Sequence, residues 1–248
     1  MTIPADVWQK YAKSLSKINA EAARLVSEWV EKYGLEDVQA VIDYSFVIAK
    51  NYGEAAAAWA AQVYDELAEF SEAYVPAAEV AETASYSDVA KTINGVLKQS
   101  QNASLIGSSI GRLVKKAGAD TTLKNASRDR AQYAWIAIGD TCPFCLGIAA
   151  EGWKTASGSK GATEHLHGNC DCTYSVRFNK DTKIAGYDPE RYQRMFDNAE
   201  GDTEEEKLNY LRREAYAENK EEISAQKRDA YEKRQELDSS AAEEIDAG

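Results

Sequence analysis

Apolar residues recur in alternating steps of three and four near the start of the chain, beginning at Trp8. This spacing places them along one side of an α-helix and predicts a narrow apolar seam. Pro4 suits the first turn of such a helix, and Gly34 suits its end. We expect this helix to pack its seam against another helix of this chain or of a partner. The seam consists of Trp8, Tyr11, Leu15, Ile18, Ala22, Leu25 and Trp29.

A second helical region is predicted after Leu35. Within it, residues 54–70 are rich in alanine, which allows close contact between helices. Pro76 is expected to end the region, because proline cannot continue a helix. The larger apolar residues that fall on one side of this stretch are Trp59, Val63, Leu67 and Phe70.

Shorter helices are predicted over residues 85–99 and 103–118. The second of these carries Gly107 and Gly111, four positions apart. In a membrane this spacing favours helix dimers, but the segment is too polar for a membrane. We therefore expect tight packing within a helical bundle.

The pattern changes near Tyr133, where "YAWIAIG" predicts a short buried strand. Further on, "CDCTYSVRF" alternates with a period of two, which is typical of a strand with one buried face. We expect Asp171, Thr173, Ser175 and Arg177 on the polar face. The apolar face would carry Cys170, Cys172, Tyr174, Val176 and Phe178.

Beyond Lys180 the chain becomes strongly charged, and acidic residues outnumber basic ones. Apolar positions are sparse there. We expect one long exposed helix that frays toward the end, and disorder or folding on a partner is the alternative.

The formal net charge is -12 and the pI is about 4.8, so we do not expect the whole surface to bind nucleic acid. Any DNA contact would be local. One basic stretch, residues 112–130, is expected to be a solvated helix face, with a phosphate-contacting patch as the alternative. Its basic residues are Arg112, Lys115, Lys116, Lys124, Arg128 and Arg130.

The start of the chain lacks the apolar core and cleavage pattern of a signal peptide, and no stretch has the length of a membrane span. We therefore expect an intracellular, soluble protein without a membrane partner. Thiols stay reduced in that setting, so clustered cysteines are more often metal ligands or redox catalysts than disulfides.

All four cysteines and both histidines lie within residues 142–172. The arrangement is C-x2-C, a loop rich in Gly, Ser and Thr, and then C-x-C. Two close pairs can supply the four thiolate or imidazole ligands that zinc prefers. A structural zinc would contribute on the order of 10 kcal/mol to folding. The candidate ligands are Cys142, Cys145, Cys170, Cys172 and His167.

The choice of ligands stays open at this point. Four thiolates form one set, and His167 in place of Cys172 forms another. His165 suits a loop position better than a ligand. Cysteines can also pack as small apolar residues or form a disulfide, and both outcomes are alternatives to the metal site.

Enzymatic interpretations fit less well. The segment Cys-Pro-Phe-Cys resembles the active site of glutaredoxin-like proteins, but that fold places its motif near the chain start. The zinc deaminases need a His or Cys followed by Glu upstream of their cysteine pair, whereas Glu164 lies downstream here. A small metal-dependent nuclease using His165 and His167 is a further alternative. No P-loop, nucleotide-binding glycine pattern or G-x-S-x-G motif is present.

The segment "AWIAIGDTCPFCLGIAAEGW" followed by "HLHGNCDCTYSVRF" resembles the cysteine-histidine core of the phage Mu F-like minor head proteins. Their pattern is C-x2-C, a loop, and H-x2-C-x-C leading into a strand, and all five candidate ligands match it. The resemblance covers about residues 128–180. Gly168 departs from the proline or aspartate that many relatives carry at this place.

The resemblance implies a minor head protein of a tailed bacteriophage, located inside the virion head near the portal and present in the host cytoplasm during assembly. It implies contacts with the portal protein and other head proteins, and a role in head morphogenesis and in DNA packaging or ejection. We expect a structural protein rather than an enzyme.

Taken together, these patterns predict a predominantly α-helical α+β fold in three regions. Residues 1–130 would form a helical assembly region. Residues 131–180 would form a small cysteine/histidine module with short antiparallel strands, stapled by structural zinc. Residues 181–248 would form a charged, partly flexible helical tail.

Overall fold

The computed structural model of the protein describes residues 1–137, 143–156, 166, 172–218, 220, 221, 224, 225 and 228. The chain divides into two compact units. The first comprises residues 1–141 and 145–193, and the second comprises residues 142–144 and 194–248.

The first predicted helix is confirmed. Helix α1 spans Ala5–Tyr33, follows Pro4 and ends at Gly34, whose φ of 77° lies in the left-handed region that glycine tolerates. Most of the predicted seam is buried. Val26 and Val30 are buried as well and widen it, so this face serves a bundle core rather than a two-helix seam.

Helix α2 is one continuous helix, Val38–Phe70, which runs through Gly53. The Asp37 side chain caps its start by accepting a 3.0 Å hydrogen bond from the Ala40 N–H. The helix stops before Pro76, as predicted. Phe70 departs from the predicted apolar side, because 40% of its surface is exposed.

Helix α3 spans Tyr86–Leu97 and begins with a reciprocal capping box between Ser85 and Asp88. Helix α4 spans Ala103–Arg128, which is ten residues longer than its predicted end at residue 118. Gly118 does not end this helix. A side chain there would lie 3.3 Å from the Ala56 carbonyl oxygen, so the glycine serves packing against α2.

Helix α4 lies at the centre of the bundle and packs against both α1 and α2. The predicted role of the paired glycines is confirmed. A methyl group on Gly107 would overlap the Ala23 carbonyl oxygen and the Ser27 hydroxyl, and one on Gly111 would lie 2.9 Å from the Asn19 carbonyl oxygen. These glycines therefore let α4 approach the backbone of α1 closely.

A three-stranded antiparallel sheet follows the bundle. Strand β2 spans Gln132–Ile136, helix α5 spans Pro143–Ala150, strand β3 spans Lys154–Thr155, and strand β4 spans Thr173–Arg177. Strand β2 lies in the middle, between β3 and β4. Both predicted strands are confirmed.

A second, two-stranded sheet ties the start of the chain to the region after β4. Strand β1, Thr2–Ile3, pairs in parallel with strand β5, Lys183–Ile184. Ile3 and Ile184 are both 3% exposed. Because the pairing is remote in sequence and each strand has two residues, no sequence pattern indicated it.

Two apolar cores hold the first unit together. The first lies among the four long helices and includes Leu15, Val41, Ile93 and Ile110. The second joins helices to the sheet. It includes Trp8, Tyr64, Ala126, Ile136 and Val176. The sheet therefore packs on the helical bundle through a shared core. The predicted three-region division itself stays a prediction.

An extended segment, residues 75–84, connects α2 to α3 and is called the strap below. The side chains of Thr121 and Asn125 on α4 accept hydrogen bonds from its backbone, from the Ala81 and Glu79 N–H groups respectively, each 2.9 Å long. The Asn125 side chain also donates to the Glu79 carbonyl oxygen at 2.8 Å. The strap is thus held on α4 by hydrogen bonds between its backbone and side chains of the helix.

The charged region after Lys180 does not form one long helix as predicted. Helix α6 spans Pro189–Asp197 and helix α7 spans Glu204–Glu218. Gly201 lies between them with a φ of 135°. Thr203 and Glu206 then form a capping pair that starts α7, because each side chain accepts a hydrogen bond from the backbone N–H of the other.

The predicted fold class, α+β and predominantly helical, is confirmed. Among the residues that the structure describes, no helix combines the length and the apolar composition that crossing a bilayer requires.

Candidate functional site

The five predicted metal ligands fall partly outside the described residues. Cys145 and Cys172 are described, and each is buried with 1% of its surface exposed. Cys142, His167 and Cys170 lie outside the described residues, as does His165. The structure therefore shows the surroundings of this site through the elements that flank it.

The strand register brings the two flanks of the cysteine cluster to one end of the sheet. Ile136, the last residue of β2, is paired with Thr173, the first residue of β4. The chain leaves the sheet after Ile136 toward the first cysteine pair, and it enters at Thr173 directly after Cys172. Cys145 lies on α5, which begins seven residues after Ile136. Ile136 and Thr173 are far apart in the sequence and lie side by side at this end of the sheet.

Tyr174 is a buried tyrosine that follows the cysteine cluster. It lies two residues after Cys172, so both side chains belong to the same face of the chain. Burial raises the pKa of Tyr174, and nearby acidic groups, with Tyr133 and Glu151 first, raise it further. Cys145 and Cys172 are both buried, and thiolates are the soft donors that a structural zinc site uses.

Aromatic rings form the floor of this end of the sheet. Trp135 is opposite Tyr174 in the register, and their ring centroids are 4.8 Å apart at an angle of 70°. Tyr133 packs against Tyr174 in the same edge-on manner at 5.6 Å. Such pairs add to the stability of the sheet beyond the area that they bury.

Lys115 is buried, although the sequence predicts a solvated helix face for it. Only 2% of its surface is exposed. Its ammonium group lies 5.3 Å from the centre of the Trp135 ring, a cation–π contact. A signal was present in the sequence. Gly111, Gly118 and Thr122 share the helical face of Lys115, and a face of small residues faces a neighbour.

Several other basic residues of residues 112–130 contact the protein itself. Lys124 pairs with Glu79 at 3.0 Å and donates to the Val80 carbonyl oxygen at 3.2 Å. Arg128 donates to the Pro76 carbonyl oxygen at 2.7 Å. These side chains hold the strap. Both side chains nevertheless stay exposed, so the solvated-face expectation is confirmed for Lys124 and Arg128 and is wrong for Lys115.

Two of the four residues predicted for the polar face of the second strand are buried, Arg177 is partly exposed, and Asp171 lies outside the described residues. Thr173 is 4% exposed and Ser175 is 1% exposed. Thr173 and Thr122 form hydrogen bonds with the Tyr11 hydroxyl, and burial raises the pKa of Tyr11 to about 12 although these bonds lower it. The alternation did predict a strand, but this strand lies between layers and has no solvent-facing side.

Within the described ranges, no three His, Cys, Asp or Glu residues come together in a group that could hold a metal ion. Since those ranges contain two of the five candidate ligands, the zinc site and its ligand set stay a prediction.

The model of one protein family, described as VG15 protein, matches residues 2–199. The chain belongs to the VG15 protein family. This is a viral family, and the chain is a phage protein. The matched residues of this VG15 protein include the helical bundle, both sheets and the whole cysteine-histidine cluster. No curated protein and no solved structure matches the chain.

Proposed function

We propose that this VG15 protein is a minor head protein of a tailed phage, similar to the Mu F-like proteins. It would occupy the head interior beside the portal, bind the portal protein and other head proteins, and act in head morphogenesis and DNA packaging or ejection. The viral family match supports the phage setting, and the C-x2-C…H-x2-C-x-C pattern supports the finer assignment.

The pairing of Ile136 with Thr173 carries the proposal. In this register, the chain leaves β2 toward the first cysteine pair beside the point where it enters β4 from the second pair. A cross-link between the two pairs requires this proximity. Cys142, Cys145, Cys170 and Cys172 would hold the zinc, or His167 in place of Cys172. When bound, the zinc supplies a structural cross-link, and we propose no catalytic step for it.

The buried flanks fit a structural role. Thiol exchange requires an accessible thiolate, whereas Cys145 and Cys172 are each only 1% exposed. The proposed role of the cluster is to fix the loop to the helical bundle, because β2 and β4 share a core with α1, α2 and α4. The bundle would then present its outer surface to other head proteins.

One observation favours a second candidate, a thiol-disulfide oxidoreductase. Helix α5 begins at Pro143, directly after Cys142 in the sequence. A cysteine just before a helix N-terminus has a lowered thiol pKa, and this is how such enzymes activate their nucleophile. The burial of Cys172, a member of the second cysteine pair, weighs against this candidate.

The head assignment is tested with the phage itself. Quantitative mass spectrometry of purified virions should find the protein in few copies relative to the major capsid protein. A nonsense mutation in its gene should yield few infectious particles although capsid protein is still made. Absence of the protein from both virions and assembled heads would contradict the proposal.

The metal site is tested on the purified full-length protein. Elemental analysis should find about one zinc per chain, and thiol titration should find the cysteines protected until a chelator is added. Cys145→Ser should lose the zinc, whereas the matched control His165→Ala should keep it. Activity in insulin reduction that disappears in Cys142→Ser, in a protein without zinc, would favour the oxidoreductase instead.

A further inference from the structure

The corner where α2 ends, residues 66–74, displays large aromatic side chains to solvent. The Tyr74 side chain is fully exposed, with a relative exposure of 104%, and Phe70 is 40% exposed. Single exposed apolar residues are common, but full exposure is unusual for a side chain as large as tyrosine.

The backbone before Tyr74 is fixed by the end of the helix. The Ala73 N–H donates to the Ala68 carbonyl oxygen at 2.9 Å, and the Ser71 N–H donates to the Leu67 carbonyl oxygen at 3.1 Å. This closing turn places Glu72 in the left-handed region with a φ of 51°. Glycine is the usual residue there, so Glu72 keeps a strained conformation. Backbone strain of this kind is often found at functional positions.

The backbone after Tyr74 is fixed by the strap. Val75 packs partly buried against the second core. The Pro76 carbonyl oxygen accepts from Arg128, and the Ala78 N–H donates to Asp65 at 2.8 Å. Tyr74 therefore stands between two anchored segments. On an anchored backbone, a tyrosine has only two side-chain torsions to fix on binding, and this low entropy cost suits it as an interface anchor.

The corner is also acidic. Glu66, Glu69 and Glu72 are exposed, and no Lys or Arg occurs between Lys50 and Lys91. Lys124 and Arg128 donate hydrogen bonds to the strap, at Pro76, Ala77 and Val80. This charge disfavours phosphate and favours a partner surface that carries Lys and Arg.

We propose that residues 66–74 form a docking site for a protein partner whose surface has an apolar pocket rimmed by Lys or Arg. Tyr74 enters the pocket as the anchor, Phe70 packs beside it, and the three glutamates face the basic rim. A central aromatic anchor with a charged rim is the usual composition of a protein interface. The choice of head proteins as probes rests on the proposed function, but the surface itself does not.

The test uses a photo-crosslinking phenylalanine analogue at position 74 of the full-length protein during phage infection. The matched control carries the analogue at position 33, because Tyr33 is also an exposed tyrosine, at 60%. Position 74 should give a specific crosslink to one phage head protein, mapped by mass spectrometry to an apolar pocket beside Lys or Arg. Position 33 should not give that product.

Binding of the purified crosslinked partner is then measured by calorimetry. Tyr74→Ser should weaken binding at least 10-fold, Tyr33→Ser should leave it unchanged, and binding of the wild type should weaken as salt rises. A crosslink to a second copy of this chain, a crosslink site without basic residues, no specific crosslink, or unchanged binding by Tyr74→Ser would overturn the inference. A basic-rimmed partner outside the head would support this inference while contradicting the proposed function.

Discussion

The Tyr64 hydroxyl donates a 2.7 Å hydrogen bond to Oδ2 of Asp129, which joins α2 to the residue that follows α4. The Asp129 side chain is only 4% exposed, and Arg128 binds it at 2.8 Å through both its Nε and its Nη2. The ring of Tyr64 packs edge-on against Phe178, just after β4, at 5.3 Å. One tyrosine thus connects the helical bundle with the sheet.

We predict that Tyr64→Phe lowers the free energy of unfolding by about 1.5–3 kcal/mol, since it removes a hydrogen bond to a buried carboxylate. Urea denaturation of the full-length protein measures the change. Tyr74→Phe is the matched control and should unfold like the wild type, because the Tyr74 side chain is fully exposed. Equal stability of Tyr64→Phe and wild type would show that the hydrogen bond contributes nothing net.

The same carboxylate predicts a dependence of stability on pH. The hydrogen bond from Arg128 lowers the pKa of Asp129 below its ordinary value, and the bond from Tyr64 lowers it further. A group with a lowered folded-state pKa contributes stability above its unfolded pKa, about 3.9 for Asp, and loses it as the pH falls through the folded-state value.

The stability difference between wild type and Asp129→Asn should therefore be constant near neutral pH and shrink below about pH 4. Denaturation curves at a series of pH values measure this difference. A difference that stays constant down to the acid limit would mean that the carboxylate titrates normally in the folded protein.

The close approach of α4 to α1 predicts opposite effects at two helical glycines. Gly107→Ala should destabilise the protein by about 1–3 kcal/mol, because its methyl group would overlap Ala23 and Ser27. Gly95→Ala in α3 is the control. It meets nothing within 4 Å and should stabilise by about 0.5–1 kcal/mol through helix propensity. Thermal denaturation compares the two, and a stable Gly107→Ala would disprove the close contact.

The strained turn after α2 predicts a stabilising substitution. Glu72→Gly should raise the free energy of unfolding by up to about 1 kcal/mol, because glycine adopts a positive φ without the Cβ clash. Arg130→Gly offers a second example, since Arg130 has a φ of 54° at the end of α4. Chemical denaturation measures both. Loss of stability in both variants would mean that the side chains contribute more than the strain takes away.

The apolar spacing in the sequence was enough to predict α1, the presence of α2 and α3, and both main strands. It failed at the end of α4, where Gly118 signals a helix end but serves close contact with α2 instead. It also failed at Phe70, which the 3.6-residue period places on the apolar side although 40% of its surface is exposed. The clustering of the candidate metal ligands was visible in the sequence. The register of β2 with β4, which flanks the cluster, was not.

By itself, the sequence determined the helical class of the protein, the positions of its main elements and the clustering of its cysteines and histidines, because these follow from local periodicity and spacing. The tertiary structure decided the register of Ile136 with Thr173, the burial of Lys115 beside Trp135 and the pairing of β1 with β5. Each of these joins residues remote in the chain. Contacts of that kind depend on how complete layers pack together, and no short stretch of sequence encodes them.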